Sequence, residues 1–431
     1  MKAKPANTII IILAIASMGP YVFVRQGIRV DHFVIYGITA FFIIRNYKDY
    51  IFSKKPIFLQ LFLVFFSILI LIFLSRTIIE RSYISIYKVF ADLDNYLQPI
   101  LISVLVYHCV KNFSLNESWQ IFLTALKTIM ILLSVNAMLA ISSIFYGPWF
   151  IKYFNTSGYI DEGQKSVFDV ATRGGRFSGI FNQPIEAGVA YGSVFLVLIF
   201  ILDQKKRVKD LPISNSFLLL GFVFIIAGGI LSVSKAFFPL AFGLAFILLF
   251  FFFGVSSRQL LKGVLMSTPI VMGLIYWVFS KWDAAFYFIR LVSIAKGQNL
   301  ISLYTSGRFG GDNPGERVVQ DRLNNPELFL GKGLGSIQTP DSALLELLYF
   351  GGVLSLMIYL LFFIYSYYYI FKYKIFNRRI SNFLLFFLTF ILLSGLGAPV
   401  FGMNRSNIIF IIFYILCHNI LFKSRQIKSN V

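Results

Sequence analysis

The chain has 431 residues, of which 58% are hydrophobic and 13% charged, and phenylalanine alone occurs fifty times. That balance excludes a water-soluble globular domain: about 20 consecutive apolar residues cross a bilayer, and roughly a dozen such runs follow one another here. The formal net charge of +20 does not indicate nucleic-acid binding, because the excess lies in one set of loops.

In chain order, apolar runs predict membrane spans near 7–24, 31–44, 57–79, 96–113, 119–147 and 184–202. Six more are predicted near 213–232, 236–253, 262–280, 341–371, 380–397 and 406–422. With the N-terminus in the cytoplasm, the inner loops and tails hold twenty basic residues against four acidic ones, and the outer segments eighteen against fifteen. That asymmetry is the positive-inside pattern, and it places both termini in the cytoplasm. The first run imitates a secretion signal, with Lys2 and Lys4 ahead of it and the small residues Ala14 and Ala16 within it. The further spans favour an uncleaved first helix. The expected fold class is all-α: a polytopic membrane protein of about twelve helices (range 11–13) with a large extracytoplasmic loop. It divides into nine spans over 1–280 with an outer loop at 148–183, the large loop 281–340, and three spans with a cytoplasmic tail over 341–431.

Cys109 and Cys417 fall within apolar runs and offer neither a disulfide framework nor a CxxC site. The histidines His32, His108 and His418 are far apart and show no ligand spacing, so histidine chemistry and an obligatory metal are not expected. Lys127, within a span, is expected to snorkel or to meet a buried polar partner.

Three outward segments exceed a simple turn. Residues 80–95 set Tyr83, Tyr87 and Phe90 at helical spacing, the pattern of an amphipathic helix in the interface. Asp92 and Asp94 precede a predicted span, and helix capping is preferred to metal binding for both. Residues 148–183 are polar and end in ATRGGRFSGIFNQP. The large loop opens with a second interfacial candidate and runs through TSGRFGGDNPGERVVQDRLNNPELFLGKGLG. Long outer loops are where function is usually carried. In that loop Asn313-Pro314 predicts a short helix on which Arg317 and Asp321 can pair. Arg322 lies about 140° around the helix from Arg317, beside Val318 and Val319, and is the better functional candidate.

Cations recur where helices meet the outer membrane edge: Arg173 and Arg176 around Gly174-Gly175, Lys235 in SVSKAFF and Arg405 in GMNRSN. The large loop adds Arg308, Arg317, Arg322 and Lys332. Guanidinium binds phosphate with two prongs and ammonium as a point charge, so such a ring suits a lipid-linked diphosphate. Snorkelling to lipid headgroups is the alternative for each one.

These stretches, in order, resemble the Wzy-type polymerases of O-antigen and capsular polysaccharide and their relatives the O-antigen ligases. GRFSGIFNQP looks like the family's arginine-glycine segment, and SVSKAFF looks like its Ser-x-Ser-Arg turn with Lys235 in place of arginine. Ser306–Arg308 followed by NNPELFLGKGLG resembles its large-loop segment, and DSALLELLYFGG the helix after it. Two departures stand out. Asp341 occupies the neighbourhood where the ligases carry a histidine, and Arg176 to Gly188 is one residue longer than the arginine-to-glycine spacing of some polymerases, which Arg322 to Gly333 matches.

The resemblance implies a GT-C-like membrane glycosyltransferase on the outer face of the bacterial plasma membrane. It would join undecaprenyl-diphosphate-linked oligosaccharide repeat units without a cofactor, beside a chain-length regulator and a flippase. Cations would hold the departing diphosphate, and a carboxylate would take the acceptor proton. Asp341 is the favoured base, and Glu346, inside a span where an ionisable group is costly, is supporting. Helix-dipole stabilisation is the competing explanation for Asp341 and Glu186. An O-antigen ligase differs only in its acceptor, lipid A core. A lipid-linked oligosaccharide flippase or transporter is less favoured, because such proteins usually show internal repeats and deep charges.

Overall fold

The computed structural model describes residues 3–23, 28–52, 55–81, 83, 85–147, 150, 154, 171–172, 174–205, 211–253, 329–336 and 342–429. The elements are α1 (Ala3–Ser17), β1 (Tyr21–Phe23), β2 (Ile28–Arg29), α2 (Val30–Phe52), α3 (Ile57–Glu80), α4 (Ile86–Val110) and α5 (Leu115–Tyr146). There follow α6 (Pro184–Lys205), α7 (Asn215–Leu231), α8 (Ala236–Phe252), α9 (Ala343–Tyr373), α10 (Arg378–Gly397) and α11 (Asn404–Ser429). Seven of these, α3 to α6 and α9 to α11, are long and apolar enough to cross a membrane, and shorter apolar helices lie at Pro5–Ser17, α7 and α8. The described residues form a mostly helical membrane-type bundle with one two-stranded hairpin, β1 antiparallel to β2.

Helix starts follow local chemistry. Ser114 accepts from Glu117 N while Glu117 Oε2 accepts from Ser114 N at 2.8 Å, a capping box that opens α5. Ser214 caps α7 and Asn377 caps α10. Ser85 accepts from Lys88 N and starts α4 ten residues ahead of the expected span, so the amphipathic stretch Ile86–Phe90 forms its first turns. The capping expected of Asp92 and Asp94 is therefore replaced: Ser85 does that job, and both aspartates lie further along α4. The expected span 7–24 is also corrected, since α1 ends at Ser17 and the chain turns through Gly19-Pro20 into the hairpin. Pro239 stands inside α8, where the turns widen and Leu240 N reaches back five residues to Lys235 O. The predicted span 262–280 lies outside the described residues.

Windows of α6 and α11 are each 89% buried, which makes them the centre of the bundle. Large apolar side chains such as Ile44, Leu71, Leu219 and Phe251 point outward, as lipid contact requires. At one end of the bundle cations cluster: Arg379 pairs with Asp203, Arg425 donates to Tyr373 and Lys423 to the carbonyl of Lys111.

At the opposite end α9 is broken. Gly352 has φ +66° and ψ −160°, a conformation essentially confined to glycine. The break exposes carbonyls, and the segment 329–336 fills the gap: Lys332 N donates to Tyr349 O at 2.7 Å and Gly333 N to Phe350 O at 2.9 Å. The same strap is held by Arg76 Nε on Gly331 O (3.1 Å), Thr77 Oγ1 on Leu334 N (2.8 Å) and Asp92 Oδ2 on Gly335 N (2.9 Å). A Cβ at Gly352 would stand 1.9 Å from Phe329 O, so the approach needs glycine.

Candidate functional site

The end of the bundle that carries the strap also holds a cavity of about 550 Å³, within the range of small-molecule sites. Its wall comes from the hairpin and first turn of α2, the first turns of α4, the approach to α6 and the turn between α10 and α11. Arg29, His32, Lys88, Asp92, Asp94 and Glu186 supply its ionisable groups.

These groups are arranged in pairs. Arg29 is buried, and its Nε lies 2.9 Å from Asp31 Oδ1. Burial by itself lowers the Arg29 pKa; Asp31, helped by Tyr21 and Glu186, more than offsets that and raises it above its ordinary value. His32 Nδ1 lies 3.0 Å from Arg29 N and 3.3 Å from Asp31 Oδ1, and its Nε2 lies 2.8 Å from Asp94 Oδ2. Asp94 also accepts from Tyr36 (2.6 Å) and Gln98 (2.7 Å). Lys88 pairs with Asp92, whose other oxygen holds the strap. Glu186 accepts from Asn182 N (3.1 Å) and from Arg405 N (3.2 Å), capping two helices at once.

Behind the wall lies Glu346, fully buried, with the Tyr96 hydroxyl against its carboxylate. Asp92 and Lys88 act on it electrostatically. Gly402, which lines the cavity, lies against it: a Cβ there would stand 3.3 Å from Glu346 Oε1.

The remaining sequence candidates divide into separate places. Arg176 Nε approaches Ser232 O at 3.4 Å, in the turn that carries Lys235. That turn is strained, because Val233 has φ +44°, an outlier for a β-branched residue. The preceding segment is fixed by Asn136, which donates to Ser178 O and accepts from Ile180 N at 2.7 Å. Lys332 lies in the strap beside α9. Arg405 is fully buried and donates to the carbonyls of Ile180, Gly19 and Phe154. It and Arg29 both lie within 6 Å of the Tyr21 ring centre, 5.7 and 5.9 Å away. The described cations thus form no single ring: Arg176 and Lys235 share one turn, Lys332 lies in the strap and Arg405 is committed to backbone. Arg173, Arg308, Arg317, Arg322 and Asp341 lie outside the described residues.

No protein-family model and no curated protein sequence matches the chain.

Arg29 and Asp31 drew no notice in the sequence, and His32 was set aside because the three histidines lie far apart. Their spacing in RVDH was a signal for local pairing, but the partner that gives His32 a role, Asp94, is supplied by another helix.

Proposed function

We propose that the chain is a polymerase that joins undecaprenyl-diphosphate-linked oligosaccharide repeat units into surface polysaccharide, O-antigen or capsule, on the outer face of a bacterial plasma membrane. The observation that carries this reading is the polar cavity at the end of the bundle opposite the basic cluster, with the buried carboxylate of Glu346 beside Gly402 of its wall. The basic end, with Lys111, Lys205, Arg378, Arg379 and Lys423, is assigned to the cytoplasm by the positive-inside rule, which puts both termini inside and the cavity outside.

In this reading an acceptor hydroxyl attacks the anomeric carbon of the donor sugar. The bond from that carbon to the diphosphate oxygen breaks, and the electron pair leaves with undecaprenyl diphosphate. The hydroxyl proton passes to a carboxylate. Glu346 suits that role in position, since it lies against Gly402, which lines the cavity. Arg176 and Lys235, joined by the family-like loop cations Arg173, Arg308, Arg317 and Arg322, are assigned to the departing diphosphate. The strain at Val233 favours a functional role for that turn, as backbone outliers cluster at working sites.

Deleting the gene and resolving surface glycans on a gel tests the reading. Glycans of a single repeat unit are expected. Accumulated unligated polymer would make the chain a ligase, and loss of exported units would make it a flippase. In the complemented strain, Arg176→Ala should remove polymer without removing the protein, and Arg176→Lys should restore it only partly.

A further inference from the structure

We infer that the cavity receives uncharged sugar rings of a lipid-linked substrate and that the diphosphate binds outside it. This deepens the glycosyl-transfer reading and rests on it. The first ground is charge. Binding of a diphosphate uses cations whose N–H groups are free to turn to it. On this wall Arg29 faces Asp31, Lys88 faces Asp92 and His32 faces Asp94. A diphosphate placed here would meet three carboxylates, Asp92, Asp94 and Glu186, along with cations already engaged.

The second ground is the rest of the lining. Asn95, Gln183 and Asn404 line the cavity with side-chain amides, a group that carries donors and acceptors for hydroxyls, while the Asn182 amide is bonded to Tyr21. Asn404 Oδ1 is buried with no hydrogen-bond partner among the described residues, which leaves an acceptor for a ligand hydroxyl. Tyr87 and Phe90 line the cavity and are 71% and 62% exposed, so their ring faces are open to the apolar C–H face of a pyranose. The third ground is position. The turn with Arg176 and Lys235 contributes nothing to this wall, so a lipid-linked substrate can lie with its sugars in one place and its diphosphate in another.

The test uses the full chain in phospholipid nanodiscs, with Cys109→Ser and Cys417→Ala to remove the native thiols. Asn95→Cys places a thiol on the wall, and Tyr87→Cys repeats the measurement at a more exposed site. The rate of modification by a small uncharged thiol reagent is followed with three probes. They are the oligosaccharide released by mild acid from lipid-linked repeat units of the deletion strain, a series of neutral hexose and N-acetylhexosamine methyl glycosides, and inorganic pyrophosphate. Saccharide should slow modification about tenfold at ten times its Kd, and pyrophosphate should leave the rate unchanged. Protection by pyrophosphate, alone or together with saccharide, overturns the inference, and so does protection by none of the probes. Failure of the polymerase reading is a separate result, full-length glycan in the deletion strain, and saccharide protection would survive it.

Discussion

Glu346 and Arg405 are fully buried ionisable side chains at the same end of the bundle, and their surroundings give them different work. Arg405 is consumed by three backbone carbonyls. Arg405→Ala should lower stability by about 1–3 kcal/mol for each carbonyl left unsatisfied, read as a fall in melting temperature in detergent. Glu346→Gln keeps the shape of the side chain and an oxygen for the Tyr96 hydroxyl, so it should keep the melting temperature while slowing transfer at least ~100-fold, the usual order for a lost general base. Normal polymer from that variant would move the role to Asp341. Asp31→Ala strands the buried Arg29 guanidinium and should cost about 3–5 kcal/mol. Removing Glu80 from its exposed pair with Arg76 should cost under about 1 kcal/mol. The sequence made Glu346 conspicuous, because a carboxylate in an apolar run is rare and costly. It could not do so for His32, whose meaning depends on Asp94 arriving from α4, nor distinguish Arg405 as a clamp from Arg405 as a ligand, because carbonyl partners leave no mark on residue type.

Helices were legible where hydropathy alone decides them. The predicted 57–79, 184–202 and 380–397 meet helices at Ile57–Glu80, Pro184–Lys205 and Arg378–Gly397. Where polar residues face a cavity, the signal failed. The first three turns of α4 carry Lys88, Asp92 and Asp94 and read as a membrane-edge segment, although Ser85 had already begun the helix. The break in α9 was equally hidden, because Gly351-Gly352 within an apolar run is compatible with an unbroken helix. Gly352→Ala should displace the strap, since no residue but glycine holds that φ and ψ cheaply. Lys332 should then become open to trypsin in the purified protein. Gly37→Ala in α2 is the matching control: a Cβ there meets nothing within 4 Å. Its expected effect is neutral to about 0.5–1 kcal/mol stabilising.

For the whole molecule, the seven long helices and the clustering of cations at one end agree with the distribution of charge along the sequence. Cysteines placed at Gly311 and Asn377 in a chain lacking Cys109 and Cys417 should label oppositely from outside intact cells, Gly311 accessible and Asn377 protected. The reverse result would turn the assigned orientation over and put the cavity in the cytoplasm. What the sequence could not supply was the division of labour among its cations. Residues that share a membrane level by hydropathy are separated laterally by packing, as Arg176 and Lys332 are by their different helix partners.

The strap sets an order of events during synthesis. Asp92 and Gly335 are 243 residues apart, and Thr77 and Leu334 are 257 apart. At about 5–20 residues per second, α3 and α4 stand in the bilayer for roughly 12–50 s before the backbone that satisfies Asp92 and Thr77 has been made. During that interval the nascent bundle exposes polar groups on a face that will later be closed, and that face is open to insertion factors or to membrane proteases. Chains stalled before residue 329 should therefore be cleared faster than chains stalled after 373, a difference that pulse-labelling of arrested nascent chains can measure.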